Sequence, residues 1–497
     1  MPTTEIPIVP MLIGGQWLRP ATAEYGPVHN PSRGELIART PMGGPSEVDA
    51  AAQAAQKAFV TWSNTPPTKR AGVLFKYRSL LEEHFEELAK IVTLENGKTL
   101  DEARGDVRRG LEVVELACGI GELAKGQSLP RVAEQIDGVT MREPIGVCAG
   151  ITPFNFPAMV GMWMYPIAIA CGNTFILKPS EKVPLTANRL AELFLEAGLP
   201  EGVINVVHGG RAVVDALCTH PGIAAVSFVG STRVAEHVYV LGTQHGKRVQ
   251  AAGGAKNVLV VMPDAEPDST LRAVMGAAYG CAGQRCMAGS ILMGVGESAS
   301  GVRKRVAEAI DGLKVADTSA DPGAQMGPVI DAGAKERILS YLEAGQKEGA
   351  QLVRDGRKLP ASLAGAGYFV GPTLFDDVQP GMKLAQDEIF GPVLSMMRPK
   401  TLEEALEWAN RSPYGNGASI FTTSGKHARE FSLGIRCGMI GVNVGVPAPM
   451  ALFSFSGWGR SFFGDLHVQG NEGVMFYTRQ KVVLSRWDSA YQRTQGW

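Results

Sequence analysis

The chain lacks most of the features that would assign a protein to a class at once. No apolar run reaches the roughly 18 residues needed to cross a bilayer, and the start, Met1-Pro2-Thr3-Thr4-Glu5, has neither a basic nor an apolar leader region. Seven cysteines in 497 residues are too few and too scattered for a disulfide framework, and no Cys-x-x-Cys pair suggests a metal site. Lysine and arginine number 48 against 49 acidic residues, a formal net charge of −1. With no basic surplus to neutralise phosphates, nucleic acid is excluded as the main partner. Internal repeats and low-complexity segments are also missing. These absences predict a soluble, cytoplasmic protein with no membrane partner.

What the chain does have is apolar material and punctuation. Hydrophobic residues make up 45% and charged ones 20%, enough for more than one core. Its 60 glycines and 31 prolines mark turns along the whole length. The first 45 residues read as extended, with turns at Gly14-Gly15, Asn30-Pro31 and Gly43-Gly44. Ser46 is a candidate N-cap for a helix over 48–59, and further helices fit 69–92 and 99–125, parted by Asn96-Gly97. From Ile145 strands at 145–151, 174–177, 203–207 and 225–229 alternate with helices at 186–197, 212–219 and 231–241. That alternation predicts an α/β fold with a parallel sheet, covered on both faces, that binds ligands at the carboxyl ends of its strands. A second α/β stretch opens with a strand over 257–262, holds helices at 270–282, 302–313 and 334–349, and runs to about 440. The polar tail reads as strand over 474–477 and 481–485.

Several residues in this frame can carry chemistry. Cys286 follows the small cluster Cys281-Ala282-Gly283 and stands beside Arg285, a cation that favours thiolate over thiol. The same local sequence also fits a buried structural cysteine. Asn155 comes just past the strand at 145–151, where its amide can donate to an oxyanion or stabilise a turn. Lys178 and Glu181 follow the strand at 174–177, in a ligand-facing place or in a solvated loop with Lys182. Gly230-Ser231 opens a helix directly after a strand, so the unbonded N–H groups there suit an anion. No Gly-x-Gly-x-x-Gly follows a predicted strand.

Five blocks then fall into one order: Thr152-Pro153-Phe154-Asn155-Phe156-Pro157; 172–181, ending Lys178-Pro179-Ser180-Glu181; Phe228-Val229-Gly230-Ser231-Thr232; Cys286; and Glu388-Ile389-Phe390-Gly391-Pro392-Val393. Over nearly the whole chain they resemble the aldehyde dehydrogenase superfamily. The resemblance implies a Rossmann-type cofactor domain (1–121 and 145–254), an α/β catalytic domain (255–443) and bridging segments (122–144 and 465–497). The bridging segments would form a small oligomerisation sheet, giving a homodimer or homotetramer. It further implies that Cys286 attacks an aldehyde while Asn155 and the Cys286 backbone N–H hold the oxyanion. Thr152, Phe154, Gly230 and Ser231 would line the cofactor, Lys178 and Glu181 the adenosine ribose, Glu388 the nicotinamide ribose, and Phe390 the nicotinamide end. A carboxylate at Glu181 repels a 2′-phosphate and so favours NAD over NADP. Ala235 stands where many relatives have a second glycine.

One more absence bears on the reaction. Hydrolytic members carry a glutamate just before a Gly-Gly pair, but here the segment is Gln250-Ala251-Ala252-Gly253-Gly254-Ala255-Lys256-Asn257. Without that base, release of the acyl group by water should slow by about 10²–10⁴-fold, so a thiol such as coenzyme A becomes the expected acceptor. Together with Gln284-Arg285-Cys286-Met287 and the stretches 105–115, 147–151, 242–250, 453–457 and 461–466, the segment resembles the CoA-acylating branch of the superfamily. That branch takes methylmalonate and malonate semialdehydes and gives propionyl-CoA and acetyl-CoA. Gly289, where a bulkier residue is usual, and Ala252, in place of leucine, are its departures. A semialdehyde of this kind carries a carboxylate and needs a cation. Arg109, with Val113 and Leu116 at i+4 and i+7, is expected on the apolar side of its helix, facing a ligand or a buried pair with Asp106 or Glu102. Arg108 shares a face with Glu112 and Glu115 and reads as solvated. Resemblance adds Arg285 as a second carboxylate partner. A hydrolytic dehydrogenase of another semialdehyde and a catalytically silent structural relative are the alternatives.

Overall fold

Two parallel sheets hold most of the strands in the computed structural model, which describes residues 6–20, 22–363, 365 and 367–487. In the first sheet five parallel strands lie in the order Ile204–Val206, Thr174–Lys178, Val147–Ile151, Ile223–Val229 and Arg248–Ala252. Met11–Ile13, Gln16–Leu18 and Phe462–Phe463 close its edges in antiparallel pairing. From Val147–Ile151 the chain works outward to Ile204–Val206, then returns to add strands on the other side. A crevice opens where the order reverses, beyond Ile151 and Val229. The segments leaving that point are Thr152-Pro153-Phe154-Asn155 and Gly230-Ser231.

The second sheet runs Gln351–Arg354, Thr373–Asp376, Val393–Met397, Gly289–Gly294, Asn257–Val261, Gly417–Phe421 and Met439–Val442. All of its pairings are parallel except that of Gln351–Arg354. Gly253-Gly254-Ala255-Lys256 joins the carboxyl edge of the first sheet to the amino edge of the second, where the turn before Gly289–Gly294 carries Cys286. Ser128–Ala133, Ile136–Pro144 and Thr478–Arg486 make a separate antiparallel sheet.

Local details differ from the sequence expectations for physical reasons. The helix expected over 69–92 is two, Pro67–Glu83 and Phe85–Asn96, broken at His84. Ser46 does not cap its helix; Pro45–Trp62 starts earlier, and the Gly44 N–H donates to Glu47 Oε2 at 2.8 Å. Residues 474–477 are not strand, because Gly470–Phe476 is helical and the strand begins at Thr478. The helix expected over 270–282 ends at Tyr279. Met159–Ala170 escapes the pattern altogether: every residue in it is buried, so it has no polar face to set a 3.6-residue period.

That buried helix lies so close to Leu100–Cys118 that a Cβ on Gly110 would stand 2.2 Å from Met162 Cε. Leu100–Cys118 buries Ala103, Asp106, Val107, Gly110, Leu111 and Val114. Arg109 is on the flank of this face, its side chain 37% exposed and paired with Glu112 at 3.0 Å. The expected apolar-side placement of Arg109 is therefore corrected: Val113, one turn on, is buried, but the Arg109 side chain lies at the edge of that face and pairs with Glu112. The charge that the helix does bury is Asp106, and its partner is Lys98 at 3.2 Å, both side chains at most 1% exposed. Glu102 instead faces Arg285 at 3.6 Å.

The turn that supplies Lys98 depends on Gly97, which ends Phe85–Asn96 at φ 85°. An added Cβ there would meet Pro328 at 2.8 Å and Pro31 at 3.0 Å. Gly97→Ala is expected to destabilise the protein by about 1–2 kcal/mol from the left-handed backbone alone, read as a lower thermal unfolding midpoint at fixed scan rate. An unchanged midpoint would show that the turn relaxes freely.

Candidate active site

The chain reverses after Tyr279 through three left-handed residues, Cys281, Ala282 and Gly283, at φ 50°, 52° and 68°. Only glycine fits the last position, where a Cβ would come within 2.0 Å of the Gly391 carbonyl oxygen. The turn delivers Cys286 with its backbone fixed from the neighbouring strands. Its carbonyl accepts from Asn257 Nδ2 at 2.8 Å and from Asn416 Nδ2 at 3.0 Å. Asn257 also donates to the Ala288 carbonyl at 3.0 Å and accepts the Gly417 N–H at 3.0 Å. These two asparagines were not among the sequence candidates, because a single Asn at a strand end has no distinguishing pattern.

Of the seven cysteines, six are buried and Cys286 alone is partly exposed. Burial of the sulfur nonetheless pushes its thiol up to about 12, and the Glu388 charge adds to the shift; the backbone N–H groups of Cys286 and Met287, then Arg285, oppose it. Arg285 does favour the thiolate, as expected of a neighbouring cation, but burial and the Glu388 charge outweigh it. Its guanidinium turns back along the preceding helix, with Nε donating to Cys281 Sγ at 3.2 Å and Nη1 to the Gly276 carbonyl at 3.2 Å. Arg285 still lines one cavity with Cys286, Asn257, Ser290, Glu388 and Phe390.

Glu388 packs onto the link between the sheets. Its Oε1 accepts the Ala255 N–H at 3.0 Å, and a Cβ on Gly254 would lie 2.2 Å from Oε2. Burial raises the Glu388 carboxyl pKa against the Ala255 N–H, Lys256 and Arg337. Lys256, also buried, donates from Nζ to the Asp387 carbonyl at 2.8 Å; burial lowers its pKa to about 8, with Glu388 and Asp387 opposing. Ala251 and Ala252 lie buried in the strand Arg248–Ala252 and bring no titratable group. At Gly289, a Cβ would meet Leu259 Cδ1 at 2.5 Å, so a bulkier residue there requires Leu259 to move.

Across the crevice, the Phe154 ring meets Phe390 edge to face, centroids 5.8 Å apart. Phe390 itself has a left-handed φ of 54°. Asn155 is 5% exposed, and its side-chain amide has no hydrogen-bond partner among the described residues. Phe156 and Cys286 pack against the same core. Arg109 pairs with Glu112 and meets the Met450 sulfur.

At the strand ends of the first sheet, Lys178 Nζ and Glu181 Oε2 pair at 3.2 Å. Burial works to raise the Glu181 carboxyl, but Lys178 and neighbouring donors leave it below its ordinary value. Thr152 N donates to the Lys178 carbonyl at 3.1 Å, and Gly230 N to the Ala252 carbonyl at 3.0 Å. The N–H groups of Val234 and Ala235 return to the Ser231 carbonyl at 3.0 and 2.9 Å, which leaves those of Ser231, Thr232 and Arg233 unbonded at the start of Thr232–Gln244. Ala235 is fully buried in that helix. An ammonium and a carboxylate suit vicinal hydroxyls, and free helix N–H groups suit a pyrophosphate. This donor set fits a dinucleotide.

Because the Cys286 thiol is raised, its thiolate is a minority at neutral pH and grows about tenfold per pH unit. Alkylation of Cys286 by iodoacetamide, followed by mass spectrometry, should climb accordingly from pH 7 to 10. Glu388→Gln removes a charge that disfavours the thiolate and should speed alkylation at every pH in that range. A plateau below pH 9, or slower alkylation in the variant, would contradict this electrostatic account.

The aldehyde dehydrogenase family model matches residues 17–483. Malonate-semialdehyde dehydrogenase 1 of Geobacillus thermodenitrificans NG80-2 is 52% identical over 485 residues, covering 98% of this chain and all of that protein. Among solved structures, a methylmalonate-semialdehyde dehydrogenase from Oceanimonas doudoroffii superposes with a TM-score of 0.95 at 45% identity, covering 97% of this chain and 99% of that one. A Sinorhizobium meliloti 1021 protein crystallised with NAD, described as a candidate methylmalonate-semialdehyde dehydrogenase, gives 0.96 at 44% identity, with 98% and 99% covered. Together with the two-sheet fold and the turn carrying Cys286, these matches establish that the chain belongs to the aldehyde dehydrogenase family.

Proposed function

We propose that the protein is a CoA-acylating, NAD-dependent semialdehyde dehydrogenase that converts methylmalonate semialdehyde to propionyl-CoA, or malonate semialdehyde to acetyl-CoA. The observation that carries the reading is a partly exposed Cys286 that shares a cavity with Ala255, just past a strand whose last residues, Ala251-Ala252, offer no base for water. Relatives at about half identity that are named for malonate semialdehyde support the substrate class.

In this reading the Cys286 thiolate adds to the aldehyde carbon, forming a C–S bond as the carbonyl pair moves onto oxygen. Asn155 Nδ2 and the Cys286 N–H donate to that oxyanion, the kind of preorganised donation worth about 10²–10³ in rate per donor. Lys178 and Glu181 hold the adenosine ribose of NAD, the free N–H groups at Ser231 and Thr232 its pyrophosphate, and Glu388 its nicotinamide ribose. Thr152, Phe154, Gly230 and Phe390 line the rest of the crevice. Bound there, NAD supplies the hydride acceptor. Collapse of the oxyanion expels the hydride that this acceptor takes and leaves a thioester on Cys286. The bond from its α-carbon to the carboxylate then breaks, releasing carbon dioxide (bicarbonate once hydrated), and the bonding pair stays as a thioester enolate that takes a proton from water. The CoA thiolate then attacks the thioester carbon, and Cys286 leaves with the bonding pair. Arg285, which lines the cavity, and Arg109 are the proposed cations for the substrate carboxylate.

The bridging role of 122–144 and 465–497 belongs to the same proposal; of these, 488–497 lie outside the described residues. Leu129, Val132, Val139, Met141, Val482 and Leu484 are exposed on the three-stranded sheet. Apolar side chains on such a sheet need a cover, which a second copy in a homodimer or homotetramer would provide. The cofactor domain (1–121 and 145–254) and catalytic domain (255–443) complete the proposed division. No described helix is long and apolar enough to cross a membrane, and a cytoplasmic location is part of the reading.

A semialdehyde panel with NAD tests it, following NADH by absorbance and acyl-CoA by mass spectrometry. Turnover beyond the first equivalent should require CoA, and Cys286→Ala should abolish NADH formation. Loss of a charged contact is worth about 1.5–3 kcal/mol, so Arg285→Leu should raise KM for the semialdehyde by about 10–100-fold. Steady acid production without CoA would select the hydrolytic alternative, and activity in Cys286→Ala would overturn the mechanism.

A further inference from the structure

We propose that Lys98 is a positioning residue that aims the oxyanion donor Asn155 by holding the backbone on which it stands. The proposal rests on the reading of Asn155 and Cys286 given above. Lys98 lies in the turn between Phe85–Asn96 and Leu100–Cys118, and that turn, with the first turn of the helix after it, reaches both the Asn155 loop and the turn before Cys286. Glu95 accepts the N–H groups of Leu185 at 2.8 Å and Thr186 at 2.9 Å, at the start of Pro184–Glu196. Asn96 Nδ2 donates to the Phe154 carbonyl at 2.9 Å, and Lys98 Nζ to the next carbonyl, that of Asn155, at 2.7 Å. The Lys98 ammonium also sits 4.0 Å from the Phe156 ring centroid. Glu102, one helical turn on, accepts the Thr99 N–H at 3.0 Å and the Cys281 N–H at 2.5 Å.

The ion pair spans the Asn155 loop from both sides. Its cation holds the Asn155 carbonyl, while Asp106 Oδ1 accepts the Met159 N–H at 2.7 Å, at the first turn of the buried helix. Two charges withdrawn from water are costly to bury, and an apolar pair of the same size often does as well for stability. What an apolar pair cannot do is bind a carbonyl on one side of a loop and an amide on the other. The Asn155 amide has no hydrogen bond of its own among the described residues, so its direction is set through the backbone that Lys98 and Asn96 restrain. A displacement of about 1 Å in such a group costs roughly 10²-fold in rate.

The test is Lys98→Met/Asp106→Asn, which removes both charges together and leaves an oxygen for the Met159 N–H. Hydride transfer in a single turnover, which precedes any need for CoA, should slow by about 10–100-fold. Alkylation of Cys286 by iodoacetamide builds no oxyanion and should stay within about twofold, as should the affinity for NAD. On an Asn155→Ala background the same pair of changes should cause no further loss of hydride transfer. Undiminished hydride transfer, a parallel fall in alkylation, or additive loss on that background would each overturn the proposal. Should the double variant fail to fold, Asn96→Ala removes one neutral hydrogen bond to the same loop and should slow hydride transfer alone by about 3–10-fold. Equal losses in hydride transfer and alkylation there would overturn it as well. An Asn155→Ala enzyme with unimpaired hydride transfer would instead overturn the assignment of the oxyanion donor.

Discussion

A lysine and an aspartate held out of water, Lys98 and Asp106, tie together the pieces on which the rest of the site depends. The pair sits where two helices, the crevice loop and the buried helix Met159–Ala170 converge. In so dry a place, leaving either charge alone would be severely unfavourable. The pair therefore admits few arrangements of the segments around it. Glu95, Asn96 and Glu102 extend the same turn to the helix Pro184–Glu196, the crevice loop and the cysteine turn. A loop between two helices thus sets the relative placement of groups drawn from both sheets.

The link between the sheets shows a second constraint, one of space. Gly253-Gly254-Ala255-Lys256 is small where it passes Glu388, because that carboxylate fills the volume a Cβ on Gly254 would need. A carboxylate near Cys286 has an electrostatic consequence: Glu388 and burial of the sulfur together raise the thiol more than its neighbour Arg285 can offset. The guanidinium of Arg285 is occupied instead by Cys281, Gly276 and Glu102. Nucleophile, carboxylate and cation thus share one cavity without neutralising one another directly.

Much of this is legible in the chain. The alternation of short strands and helices from 145 onward indicates a parallel sheet, and the residues that follow its strands stand along the crevice. The break at Asn96-Gly97 is a true helix end with a left-handed cap. Where sequence and structure part, the missing signal is periodicity. Met159–Ala170 is apolar on every side, so no window of sequence across it shows the polar–apolar alternation that marks a helix. Arg109 departs from its expected place because two apolar neighbours at i+4 and i+7 suggest a face but do not fix its edge.

The sequence by itself determined the elements that periodicity and turn chemistry encode. It also determined which reactive residues exist and which do not, from Cys286 and Asn155 to the missing glutamate at Ala251-Ala252. Tertiary structure alone decided the partners: Lys98 for Asp106, Glu112 for Arg109, Glu102 for Arg285, and the Asn257 and Asn416 amides for the Cys286 carbonyl. The reason is physical. Whether a charge is buried, and which opposite charge or dipole answers it, depends on groups that can be far apart along the chain and that only packing brings within hydrogen-bonding distance.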